Sequence, residues 1–129
     1  MAALVAAGEL ARAEAWLAQV AARALRAEDA RHANHAVARE VGVPLLRGLL
    51  ALGRGQWAAA AEAMYAARPL ASRIGGSHAQ RDLIDQTLLA AAAQGGRRDM
   101  GRALLNERLL SKAATPLTWH WAERLRRAP

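Results

Sequence analysis

The chain has no cysteine and no phenylalanine, only one tyrosine (Tyr65), and a single lysine (Lys112). Without thiols there are no disulfides, no thiolate chemistry and no cysteine-ligated zinc. That fits a reducing compartment, and a cytoplasmic setting is the expectation. Runs of Val, Ile, Thr and aromatic residues, the raw material of strands, are missing. Long apolar runs are missing too. No stretch approaches the ~20 residues needed to span a bilayer, so no membrane partner is expected. The start, Met1 to Gly8, has no basic region and only a short apolar run before Glu9, so no secretion signal is expected.

Alanine is abundant, and it is the strongest helix former. With 129 residues the chain suits one domain, residues 1–129, whose core needs no metal or disulfide. The fold class follows as all-α. The formal net charge is +7, which would favour an acidic partner or nucleic acid. However, the arginines are scattered singly, as on solvated helix faces, and the one dense group is Arg124, Arg126 and Arg127. Nucleic acid is therefore not the expected partner.

Glycine and proline divide the chain into helices. After Gly8, Leu10, Ala13, Leu17, Val20 and Ala24 recur at helical spacing and predict a helix over about 9–25, widened by Trp16 and Ala21. A polar stretch, 26–31, follows. Helical pattern resumes near Ala33 and runs to Leu52, with a kink or break expected at Gly42 and Pro44 because proline lacks the N–H that would bond Glu40. After Gly53-Arg54-Gly55 comes a helix over about 56–71, distorted near Pro69. Ser77 to Gln80 matches a capping box and opens a helix ending at Gly95-Gly96, with Asp82 and Asp85 placed for the helix dipole. A helix over about 98–112 is next. Thr115-Pro116 then starts the last helix, about 116–127, with Leu117, Trp121 and Leu125 as its inner stripe.

A repeat is present. Gly48, Gly55, Trp57, Ala60, Met64 and Ala67 occupy the small and large positions of a tetratricopeptide-like hairpin. Gly8, Leu10, Ala13, Leu17 and Val20 repeat its second half, 47 residues earlier. A weaker third copy reads Met100, Ala103, Glu107 and Leu110, 43 residues later. The expected architecture is a right-handed solenoid of about six helices in stacked antiparallel pairs; an irregular helical bundle is the alternative. The first pair keeps only Ala2 to Ala7 of its leading helix. An exposed apolar flank on the 9–25 helix is expected, suited to a second copy of the chain, as in a homodimer, or to a segment of a longer protein.

Ile74-Gly75-Gly76-Ser77-His78-Ala79-Gln80-Arg81-Asp82 resembles the family of tetratricopeptide-repeat protein 38. Residues 39–45, 50–55 and 102–108 are similar to that family in the same order. The resemblance spans nearly the whole chain and implies a helical-repeat fold corresponding to the family's C-terminal region. It implies no enzymatic activity and no cofactor. The family's longer N-terminal region has no counterpart here.

The richest polar cluster is Ser77, His78, Gln80, Arg81, Asp82, Asp85 and Gln86. His78, Gln80, Arg81, Asp82 and Gln86 are candidates for a ligand or partner site at a helix N-terminus, with His78 and Asp82 one turn apart and able to pair. The competing reading is a capping and packing network that fixes how one hairpin meets the next. A hydrolytic use of Ser77, His78 and Asp82 is poor, because Ser77 is needed as the cap and triads are defined by geometry. His32 and His35 with Glu28 do not by themselves make a zinc site; solvated helix histidines are expected. Gly75-Gly76-Ser77 lacks the known phosphate-loop patterns. Trp119, beside Arg124, is a candidate surface anchor, or a side chain that packs on a neighbouring helix or a second chain. The functional expectation is a non-catalytic scaffold that binds a protein or peptide partner and needs no cofactor or metal. The alternative is a small-ligand or enzymatic domain centred on Ser77 to Asp82.

Overall fold

The structure, a computed structural model, describes residues 1–127; the side chains of Ala27 and Asp29 are outside that description. The described residues are helical and contain no strand. In chain order they form α1 (Ala2–Ala6), α2 (Leu10–Ala24), a 3-10 turn (Ala27–Arg31), α3 (His35–Val37), a π-helical turn (Ala38–Gly42), α4 (Val43–Gly53), α5 (Trp57–Ala67), a 3-10 stretch (Arg68–Ile74), α6 (His78–Gln94), α7 (Arg98–Ser111) and α8 (Pro116–Arg127).

The kink or break expected at Gly42 and Pro44 takes the form of a change of helix type, and the chain does not leave the helix. Helical backbone continues through Gly42 and Val43. The register slips into one π-helical turn, and Pro44 then falls in the first turn of α4, where its missing N–H is harmless. Pro69 does end a regular helix, since α5 stops at Ala67 and the chain continues as tighter 3-10 turns. Ser77 caps α6 as predicted. Its Oγ accepts from the Gln80 amide at 3.3 Å, and the Gln80 side-chain oxygen accepts from the Ser77 amide at 2.7 Å. Gly76 is required there twice over. Its φ is +82°, and a β-carbon would sit 2.7 Å from Gln80 Oε1. Thr115 caps α8 in the same reciprocal manner with Thr118.

Three helix–helix turns share one geometry. Gly8, Gly55 and Gly96 have φ of 74°, 70° and 67°. The amide of the following residue (Glu9, Gln56 or Arg97) donates to the carbonyl five residues back, of Leu4, Ala51 or Ala92, at 2.9, 2.9 and 2.8 Å. This is the Schellman stop, in which a left-handed glycine closes one helix. Here the next helix begins at once. The pairs α1–α2, α4–α5 and α6–α7 are therefore the same hairpin three times.

The turns also correct the register of the third copy. With Gly96 matched to Gly55, the equivalents of Ala13 and Ala60 is Gly101, of Leu17 and Met64 is Leu105, and of Val20 and Ala67 is Arg108. Ala13, Leu17, Ala60, Met64, Gly101 and Leu105 are all buried. By contrast, Glu107 is exposed and Leu110 is 90% exposed. The sequence pattern misplaced this copy by two residues because it followed hydrophobicity, whereas the inner face of α7 contains a glycine and an arginine.

Successive helices pack on one another: α2 on α4, α4 on α5, α5 on α6, α6 on α7 and α7 on α8. The main core runs through α4 to α8, with Val41, Met64, Leu88, Leu89 and Leu125 almost wholly enclosed. Small residues let the helices approach. A β-carbon on Gly48 would lie 2.3 Å from Met64 Cγ, and one on Gly101 would lie 2.3 Å from Leu125 Cδ2. In α8 the inner stripe is Thr118, Trp121 and Leu125; Leu117, expected inside, is 42% exposed. Thr118 replaces it because its hydroxyl is held in the cap with Thr115. α1 does cover part of α2: Met1, Leu4 and Val5 pack with Leu10, Ala13, Leu17 and Leu50. The residual apolar exposure on that hairpin is Trp16 and Leu25.

Candidate functional site

The 77–86 segment lies where three elements meet: the 3-10 stretch after α5, the first half of α6 and the end of α7. Between them is an open recess of about 350 Å³ whose lining includes Arg68, Ser72, His78, Arg81, Asp85 and Lys112.

Its charges are organised across helices. Arg68 Nε donates to Asp85 Oδ1 at 2.7 Å, and Arg68 Nη1 donates to Glu107 at 2.5 Å. Arg108 makes a two-pronged bond to Asp82, with the Nη2–Oδ2 arm at 3.2 Å. Lys112 adds a third donor to Asp82 at 2.9 Å. Asp82 and Asp85 thus tie α6 to α7 and to the end of α5. Neither acid lies in the first turn of α6, so the dipole role expected for them is replaced by these pairs. Arg108 explains why the third copy breaks the small-residue rule. It occupies an inward position of α7, only 12% of its side chain is exposed, and a carboxylate is needed opposite it.

His78 and Asp82 do not pair. His78 Nδ1 instead lies 3.2 Å from the Arg81 guanidinium, whose other arm donates to the Gly76 carbonyl at 2.6 Å. Gln80 is consumed by the cap. Gln86 faces α8, where its side-chain oxygen accepts from the indole N–H of Trp121, so it takes no part in the recess. The sequence segment therefore separates by helix face. His78, Arg81, Asp82 and Asp85 line the recess, Gln80 serves the cap, and Gln86 the core. Arg68, Arg108 and Lys112 complete the cluster and were not anticipated. They lie 17 to 39 residues from their partners in the chain, and only the pairing of α6 with α7 and the packing of the 3-10 stretch on them bring them near.

The Arg108 hydrogen bonds hold the Asp82 carboxyl far below the usual carboxylate range; partial burial opposes this, and Lys112 reinforces it. A depressed folded-state value means that the stabilisation is fully present above the unfolded value. It is lost as pH falls below about 4 toward the folded value. The expected result is that thermal stability declines between about pH 5 and pH 2 and that Asp82→Asn, weaker at neutral pH, declines less over the same range. Parallel melting curves for the two proteins across that range would show the pair to be thermodynamically silent.

The other sequence candidates fall elsewhere. Trp119 is 67% exposed, and Arg124 is exposed as well. Five residues apart on a helix, they point about 140° from each other and do not form one patch. Arg126, seven residues from Trp119, shares its side of α8 but is bonded to Glu123. His35 is only 8% exposed, contrary to the solvated side chain expected, and opens α3. Glu28 lies 4.0 Å from Arg26. Among the described residues no three His, Cys, Asp or Glu side chains are placed to hold a metal ion, and no helix is long and apolar enough to cross a membrane.

These features define an all-helical chain of repeated hairpins with a charged inter-hairpin recess. No protein-family model matches the sequence, and no solved structure matches the chain.

Proposed function

We propose that the chain is a non-catalytic, tetratricopeptide-like solenoid that docks an acidic peptide or protein segment, with the recess between the 3-10 stretch after α5 and the α6–α7 hairpin as the contact surface. One observation carries this reading: the recess is walled by side chains from the 3-10 stretch after α5 and from the α6–α7 hairpin, and its carboxylates are already bonded to arginines and lysine. Three cations (Arg68, Arg81 and Lys112) face two carboxylates in its lining. The resulting positive balance suits a peptide carrying Asp or Glu. The sequence resemblance to the family of tetratricopeptide-repeat protein 38 points the same way.

The alternative, a small-ligand or enzymatic centre on His78, Arg81 and Asp82, requires side chains at liberty to engage a substrate. Each of the three has a protein partner, which favours the scaffold.

The test is selection from a displayed peptide library. Acidic peptides should be enriched on the chain, and Arg81→Glu should abolish that enrichment while the chain stays folded and helical by circular dichroism. Enrichment of neutral or basic sequences, or equal capture by Arg81→Glu, would overturn the reading. Light scattering on the same samples addresses pairing of two copies through the α2 flank: a mass independent of concentration and equal to one chain removes that option.

A further inference from the structure

A second recess lies on the opposite end of the chain, between the C-terminal half of α2 and the segment leading into α3. It is an open recess of about 560 Å³ whose described lining is Val20, Arg23, Ala24, Arg26, His32, Asn34, His35 and Ala38. This is within the size range of small-molecule sites, about 300–1,000 Å³. Its composition is also of that kind, with an apolar floor and a few polar groups. Among the described lining residues two are arginines and none is a carboxylate, although Glu28 lies 4.0 Å from Arg26. His35 forms part of the wall. It is more than nine-tenths buried, and its Nε2 has no hydrogen-bond partner. A buried ring nitrogen without a partner is unfavourable and is normally satisfied by protein or ligand.

We propose that this recess binds a small organic carboxylate with an apolar body. The hydrocarbon part lies on Val20, Ala24 and Ala38. The carboxylate is held at the rim by Arg23 and Arg26, which can grip it through paired N–H groups, with His35 as the inner donor. The proposal is independent of the peptide-docking reading, since none of its residues belongs to the inter-hairpin recess.

The probe is octanoate, titrated into the full chain by calorimetry and by nitrogen-detected NMR of the histidine rings, with 1-octanol as the neutral control. Octanoate should bind saturably and move the His35 ring signals. The exposed pair Arg23→Gln with Arg26→Gln should weaken binding by about tenfold or more while leaving the fold intact. His35→Gln, which retains a donor, should bind better than His35→Leu. Absence of saturable binding, equal affinity for 1-octanol, or unchanged affinity in the double arginine variant would each overturn the proposal.

Discussion

Gly95→Ala should destabilise the chain by about 3 kcal/mol, near the top of the ~1–3 kcal/mol usual for an overpacked interior. The added β-carbon would lie 2.6 Å from the backbone nitrogen of Ala58, 2.8 Å from its α-carbon and 2.8 Å from the carbonyl carbon of Trp57. These are main-chain atoms at the start of α5. They cannot swing aside, so α6 must move away from α5. Gly95 has φ of −86°, a value open to any residue, so the substitution adds no torsional strain to confuse the reading. Gly53→Ala is the internal control. Its β-carbon would approach Val5 Cγ1 at 2.6 Å and Leu10 Cδ2 at 2.9 Å, both side-chain atoms of half-buried residues. Those side chains can turn, and alanine gains up to about 1 kcal/mol of helix propensity over glycine, so the net cost should stay below about 1 kcal/mol. Urea or thermal unfolding of the two variants decides the matter. If Gly95→Ala proves no worse than Gly53→Ala, the close approach of α5 and α6 is wrong.

The second large effect belongs to Met64. It is 2% exposed and lies at the contact of α4 with α5, so Met64→Ala should cost about 2–5 kcal/mol through lost burial and the cavity left behind. The informative measurement is the cycle with Gly48. Gly48→Ala alone forces a methyl to within 2.3 Å of Met64 Cγ and should cost about 1–3 kcal/mol. In the Met64→Ala background the same methyl enters space that Met64 has vacated. The double variant should therefore be more stable than the sum of the two single changes predicts, by about 1 kcal/mol or more. Strict additivity would mean that the two residues do not share a packing site.

The clarity of the sequence varied with how local each feature is. The Ser77 capping box and the Gly95-Gly96 stop depend on residues a few positions apart, and both occur as read. The Gly42–Pro44 interruption was legible, but not its form: Val41, Val43 and Leu45 are buried, and the segment stays helical through a π-turn. The third hairpin was misread by two residues because Arg108 stands where hydrophobicity would have marked the inner face. Of the charged recess, one wall was visible as the polar run 77–86. The opposite wall, with Arg68 and Lys112, and Arg108 behind it on Asp82 carry no local signature, since an arginine at an inward position looks like any other arginine until its carboxylate is opposite.

Composition and periodicity alone determined that this chain is helical, where most of its helices start and stop, and that glycine and alanine mark the places of close approach. Those properties follow from short-range sterics and hydrogen bonding, which each few residues carry within themselves. The tertiary structure alone decided which arginines are inward, which carboxylates they hold, and that His35 is enclosed with an unpartnered nitrogen. Those outcomes depend on contacts between residues far apart in the chain, whose energies exist only once the hairpins have packed.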